Sequence, residues 1–107
     1  ASLVGSRDHA VYCASKGAAN QLVRVLALEW GSLGVTVNAV APTFIYTSGT
    51  AERLDDPGDR RAVVERMPGG TGGTVADVAG AVIYLASDAA ALVNGVVLPV
   101  DGGWTAQ

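Results

Sequence analysis

Tyr12 and Lys16 are the residues whose types and spacing carry the most chemistry in this sequence of 107 residues. They lie four positions apart in a stretch free of proline, so a helix there puts both on one face. A free phenol, with an ordinary pKa near ~10, is a poor base at neutral pH. A fixed positive charge beside it favours the phenolate and lowers that value. Such a pair can pass a proton to or from a carbonyl or alcohol oxygen. On spacing alone, an ordinary surface pair has the same signature. The remaining reactive residues offer less. His9 is the single histidine and reads as a loop residue capping a helix start. Cys13 is the single cysteine, so it forms no internal disulfide and no thiolate metal site, and reads as packed and inert. Asp55, Asp56 and Asp59 read as a solvated face, without the spacing or the histidines of a metal site. No metal is expected.

The pattern around the pair defines its supporting elements. Residues 1–8 read as a loop, with Asp8 as a cap for the next element. From His9 to Trp30 apolar residues recur at helical spacing (Ala14, Ala18, Leu22, Val25, Leu26, Trp30), and Gly31 and Gly34 stop the helix. Its first half carries a small-residue face (Ala14, Gly17, Ala18, Ala19) that suits close approach of another helix. Val35–Ala41 is a β-branched run closed by Pro42 and reads as a buried strand. Residues 43–50 read as a loop. Residues 48–73 read as a mobile segment, with weak helical patches at 52–54 and 61–66 and a flexible glycine-rich connection at 68–73. Val75–Ser87 is a second helix capped by Thr74, Asn94-Gly95 a turn, and Val96–Val100 a second buried strand. Helices alternating with apolar strands predict a parallel α/β sheet. Two strands leave long unpaired edges, so the chain reads as part of an α/β domain.

Composition narrows the partners. The chain is 50% hydrophobic and 16% charged, which argues against disorder. Net charge is -3 and no basic run exists, so no nucleic-acid partner is expected. The stretch Gly31–Ala51 lacks charge but holds Asn38, Pro42 and three glycines, which makes it a poor membrane span. No basic-then-apolar signal pattern opens the sequence, so a soluble cytoplasmic protein is the expectation. The start at Ala1 without Met suggests an absent upstream segment.

Tyr12-Cys13-Ala14-Ser15-Lys16 resembles the Tyr-x-x-Ser-Lys segment of the short-chain dehydrogenase/reductase family. The resemblance continues in order: Val35–Pro42 resembles the penultimate core strand and its exit, and Ile45 and Thr47 match the loop after it. Asp77-Val78-Ala79 with Tyr84–Ser87 resembles the late helix. Asn94-Gly95 and Val100–Gly103 resemble the final strand and its end. The resemblance implies that residues 1–107 are the C-terminal part of a single NAD(P)-binding Rossmann-type domain, a doubly wound parallel sheet, with 48–73 as its substrate-covering loop. It implies an oxidoreductase interconverting a secondary alcohol and a ketone with NAD or NADP. Tyr12 would be the acid/base, and Lys16 would lower its pKa and bind the nicotinamide ribose. Pro42, Thr43, Ile45 and Thr47 would line the cofactor: Ile45 through its backbone to the carboxamide, Thr47 to the carboxamide or pyrophosphate. The small-residue face of the first helix would then be a subunit contact in a homodimer or homotetramer.

Departures from the family pattern qualify this. Thr43 stands where glycine is usual. Thr71, Val75 and Ala76 replace the usual arginine, proline and glutamate before Asp77, which predicts a weakened cap and anchor. No glycine-rich dinucleotide loop is present: Gly69–Gly73 follows Pro68, not a strand, and reads as a hinge. The family serine would lie upstream, because Ser2 and Ser6 are too close to Tyr12. The ending Asp101–Ala106 is similar to sugar-acid and polyol dehydrogenases of the family. Two alternatives stay open: a 3-oxoacyl-carrier-protein-type reductase, and a non-catalytic assembly module that lacks the phosphate loop.

Overall fold

The computed structural model describes residues 2–69 and 72–106. Ala1, and Gly70 and Thr71 of the expected hinge and anchor, lie outside the described residues. The long helix, α1, spans Ala10–Trp30, where alanine, leucine and other good helix formers dominate. It begins differently from expectation. Asp8 does not cap it, because Asp8 sits at φ 62 in the loop. His9 holds the N-cap position but makes no side-chain cap. Its Nδ1 donates to the Arg7 carbonyl instead, at 2.7 Å, turning the ring back into the loop. At the other end Gly31 continues right-handed into a short turn, Gly31–Leu33. Gly34, at φ 77, reverses the chain.

Strand β1 covers Ala39–Pro42 and pairs in parallel with β2, Val97–Val100, in the register Ala39↔Val97 to Pro42↔Val100. Both strands are shorter than their apolar runs. Val35–Asn38 is extended but bound by side-chain amides: Val37 N–H donates to Asn94 Oδ1 at 2.8 Å, and Asn38 Nδ2 to the Val93 carbonyl at 2.8 Å. Pro42 closes the strand as expected, as its last paired residue. Ala39 N–H donates to Val96 O and Thr43 N–H to Val100 O, so alternate residues face the ladder. Pro42 and Pro99 fall on the other positions, where a missing N–H costs no ladder bond.

The segment expected to be a mobile loop is built around two helices, α2 (Ala51–Asp55) and α3 (Pro57–Val64). Asp56 caps α3 by accepting from Gly58 N and Asp59 N, both at 2.9 Å, and Pro57 takes the first-turn position that needs no N–H. Leu54, Val63 and Met67 bury their side chains together, with Phe44 and Trp104 packed against them. Each such side chain contributes roughly 1.5–3 kcal/mol when fully buried. The three aspartates are therefore more than a solvated face: Asp55 accepts from Tyr46, Asp56 is the cap, and Asp59 pairs with Arg53 at 3.4 Å.

Helix α4 (Val75–Leu85) packs on both strands. The expected weakening of its cap is not seen. Thr74 accepts from Asp77 N–H, and the Asp77 carboxylate accepts from Thr74 N–H at 2.7 Å, a complete capping box. At the 94–95 turn, Gly95 has φ 75, and a Cβ there would lie 3.3 Å from Ala27 Cβ. With the bond from Asn94 Nδ2 to the Ala27 carbonyl (3.1 Å), this turn ties α1 to the segment leading into β2.

Candidate active site

Tyr12 and Lys16 lie in the first turns of α1, and the helix brings them together. Lys16 Nζ stands 5.5 Å from the Tyr12 ring centroid, within cation–π range. The His9 ring meets Tyr12 edge-on at 6.4 Å between centroids. Tyr12 is 52% exposed. Ser15 between them donates to the Tyr12 carbonyl at 2.8 Å, which turns its hydroxyl onto the helix backbone. Cys13, on the same turn, is partly buried and free.

Pro42, Thr43, Ile45 and Thr47 form one continuous exit from β1. Among the described residues, no hydrogen bond joins them to the side chains of Tyr12 or Lys16. Thr43 is tied to the sheet through Val100 O. Ile45 forms a parallel bridge with Gly73. The two bonds of that bridge run from Gly73 N–H to Phe44 O and from Tyr46 N–H to Gly73 O. The N–H and C=O of Ile45 itself therefore point to the opposite side. The carbonyl is taken by the Thr50 hydroxyl. The Ile45 N–H has no acceptor among the described residues. A Cβ at Gly73 would come 2.6 Å from Ile45 Cδ1, so glycine there lets the two backbones pair without displacing that side chain. Gly73, the last glycine of the glycine-rich run, is thus part of the framework of the strand exit.

Three supports escaped the sequence reading. Thr50 places one hydroxyl against Ile45 O, Thr47 N (2.9 Å) and Thr47 Oγ1 (3.1 Å). Tyr46 donates to the Asp55 carboxylate at 3.1 Å, tying the strand exit to α2. Asp101 accepts from Gly103 N, Thr105 N and the Thr105 hydroxyl (2.6 Å), which fixes the turn carrying Trp104. Trp104 packs on Phe44 at 5.6 Å, and Arg66 lies over its indole at 4.6 Å. The signal for Thr50 was a threonine three residues beyond another threonine, a spacing common in polar loops. Among the described residues no group of His, Cys, Asp or Glu could hold a metal ion, and no helix is long and apolar enough to cross a membrane.

The chain thus carries an exposed tyrosine-lysine pair and a strand exit whose Ile45 N–H has no acceptor among the described residues. Residues 1–105 match the family described as enoyl-(acyl carrier protein) reductase. The 2-dehydro-3-deoxy-D-gluconate 5-dehydrogenase of Pseudoalteromonas atlantica is 48% identical over 93 residues, 87% of this chain and 37% of that protein. The L-xylulose reductase of Homo sapiens is 39% identical over 99 residues, 92% of this chain and 41% of that protein. A solved gluconate 5-dehydrogenase from Burkholderia cenocepacia, in complex with NADP and tartrate, superposes with a TM-score of 0.93 at 35% identity, covering 99% of this chain and 42% of that one. The chain shares a Rossmann-type α/β fold with these proteins and contributes two adjacent parallel strands to it. It belongs to the short-chain dehydrogenase/reductase family. It spans about two fifths of the length of these relatives.

Proposed function

We propose that this chain supplies the acid/base pair and the nicotinamide-end contacts of an NAD(P)-dependent oxidoreductase that interconverts a secondary alcohol and a ketone. The observation that carries the reading is the Lys16 ammonium 5.5 Å from the ring centre of an exposed Tyr12, inside a Tyr-x-x-Ser-Lys run. The fit of the strand exit to a nicotinamide rests on its free groups. The Ile45 N–H is a donor without an acceptor among the described residues, and Thr47 carries a hydroxyl two residues on. A primary carboxamide offers the matching acceptor and donor.

In this reading the cofactor supplies the hydride, and the protein supplies orientation and the proton. Tyr12 Oη donates its proton to the carbonyl oxygen as the ketone becomes an alcohol, and takes it back in oxidation. Lys16 stabilises the phenolate left behind and binds the nicotinamide ribose. Pro42 and Thr43 form the wall beside Ile45. Segment 48–73, with α2 and α3, covers the substrate. The relatives described above are named for a sugar acid and for xylulose, which favours a sugar acid or polyol as substrate over an acyl-carrier-protein thioester. The small-residue face of α1 suits a homodimer or homotetramer contact.

The test is turnover by the full-length native protein, followed by NADH and NADPH absorbance across keto sugar acids, pentuloses and 3-oxoacyl thioesters. The reading expects cofactor oxidation with at least one carbohydrate ketone. Cofactor oxidation with the thioesters alone would replace the substrate class. Absence of cofactor binding would contradict the oxidoreductase reading.

A further inference from the structure

Thr50 occupies the N-cap position of α2, where a threonine hydroxyl ordinarily accepts from the helix backbone. Here it makes no such cap. Its hydroxyl turns back onto the strand exit. It donates to the Ile45 carbonyl, accepts from Thr47 N–H at 2.9 Å, and lies 3.1 Å from Thr47 Oγ1. A hydroxyl has one hydrogen and two lone pairs. The hydrogen is committed to Ile45 O, its shortest contact; the Thr47 carbonyl is farther, at 3.3 Å. In the contact between the two hydroxyls, Thr47 Oγ1 must then be the donor. That leaves Thr47 Oγ1 with only lone pairs to offer outward.

We infer that Thr50 is a positioning residue that fixes the polarity of the cofactor contact: Ile45 N–H is presented as the donor and Thr47 Oγ1 as the acceptor, a pattern selective for a primary carboxamide. The inference rests on the proposed function and deepens it. Thr50 touches neither cofactor nor substrate. It acts through Thr47, and without its hydroxyl the Thr47 hydroxyl is free to rotate and to present its hydrogen instead.

The test compares dissociation constants of the full-length native protein for its nicotinamide cofactor and for the 3-acetylpyridine analogue, read by fluorescence. The analogue keeps the carbonyl but replaces the amide NH2 with a methyl group, so it has no hydrogen to give Thr47. Thr50→Val should weaken carboxamide cofactor binding about fivefold, the scale of one hydrogen bond, and leave the analogue unchanged. Thr50→Ser, which keeps the hydroxyl, should stay within about twofold of the unaltered protein, well inside the effect of one lost hydrogen bond. If the valine variant does not fold, Thr50→Ala repeats the comparison without a new methyl contact. In a Thr47→Val background, Thr50→Val should cause no further loss. An unchanged cofactor-to-analogue ratio in the hydroxyl-less variants, or equal losses in serine and valine variants, would overturn the inference alone. Failure of the unaltered protein to bind a nicotinamide cofactor would overturn the proposed function and this inference with it.

Discussion

Tyr46 and Asp55 show how a single contact at the strand exit makes the site sensitive to alkali. The Asp55 hydrogen bond, with its negative charge, holds the Tyr46 phenol above its ordinary pKa of 10.0. A raised folded value means that the clasp contributes in full below the ordinary pKa and is lost as pH rises through the folded value. Limited proteolysis of residues 51–64 should therefore accelerate above about pH 10, and Tyr46→Phe should be equally susceptible at neutral pH. Asp101 behaves with the opposite sign. The Thr105 hydroxyl first, then the backbone N–H groups of Gly103 and Thr105, hold its carboxyl below the ordinary 3.8. Asp77 is held down in the same way by Thr74. These contributions are present above the unfolded-state value and disappear as pH falls through the lower folded values. The thermal midpoint should drop below about pH 4, and Asp101→Asn should flatten part of that limb.

At the scale of elements, the sequence patterns identified α1, α4 and both strands because each carries a long periodic or β-branched run. Helices α2 and α3 were read only as weak patches, since they are 5 and 8 residues long and Pro57-Gly58 looks like a breaker. The same proline starts α3. Their burial was hidden as well: Leu54, Val63 and Met67 are spread through a charged stretch and converge only in three dimensions. The cap of α4 was legible in Thr74 and Asp77, and Val75 and Ala76, which lie between them, leave that box complete. Thr74→Ala should cost about 1 kcal/mol, measurable by urea denaturation of the full-length protein, with Thr74→Ser close to neutral. Met67 and Pro68, beyond α3 in the segment proposed to cover the substrate, rest on the Gly102-Gly103 turn. Gly103 has φ 89, and a Cβ there would lie 3.1 Å from the Pro68 ring. Gly103→Ala should loosen that contact and raise the KM for substrate more than that for cofactor.

The whole molecule explains why the apolar fraction is so high for so little core. Among the described residues no large side chain is fully buried, while Leu28 is 85% and Leu92 99% exposed. The radius of gyration is 15.3 Å, against about 13 Å for a compact domain of this length. The long helix α1 leaves Val11, Leu22 and Leu28 exposed, and the sheet beside α4 has only two strands among the described residues. The 107 residues expressed alone should bind an apolar dye strongly and self-associate in sedimentation; a monodisperse monomer that ignores the dye would contradict this reading of the surface. The tyrosine-lysine pairing was fully legible, because a helix fixes the relation between positions 12 and 16. The arrangement of the strand exit, proposed to meet the carboxamide, was only partly legible, because it depends on which backbone groups the Gly73 pairing leaves free among the described residues.

The proposed function stands or falls with the proton that Tyr12 is proposed to pass. The turnover number of Tyr12→Phe in the full-length native protein, taken alongside its cofactor dissociation constant, measures that step. General acid–base catalysis of this kind is worth about 10²–10⁴ in rate. A loss of that size in kcat is expected, with cofactor binding kept within about threefold, since a phenol hydroxyl makes at most one hydrogen bond there. Turnover equal to that of the unaltered protein would contradict it.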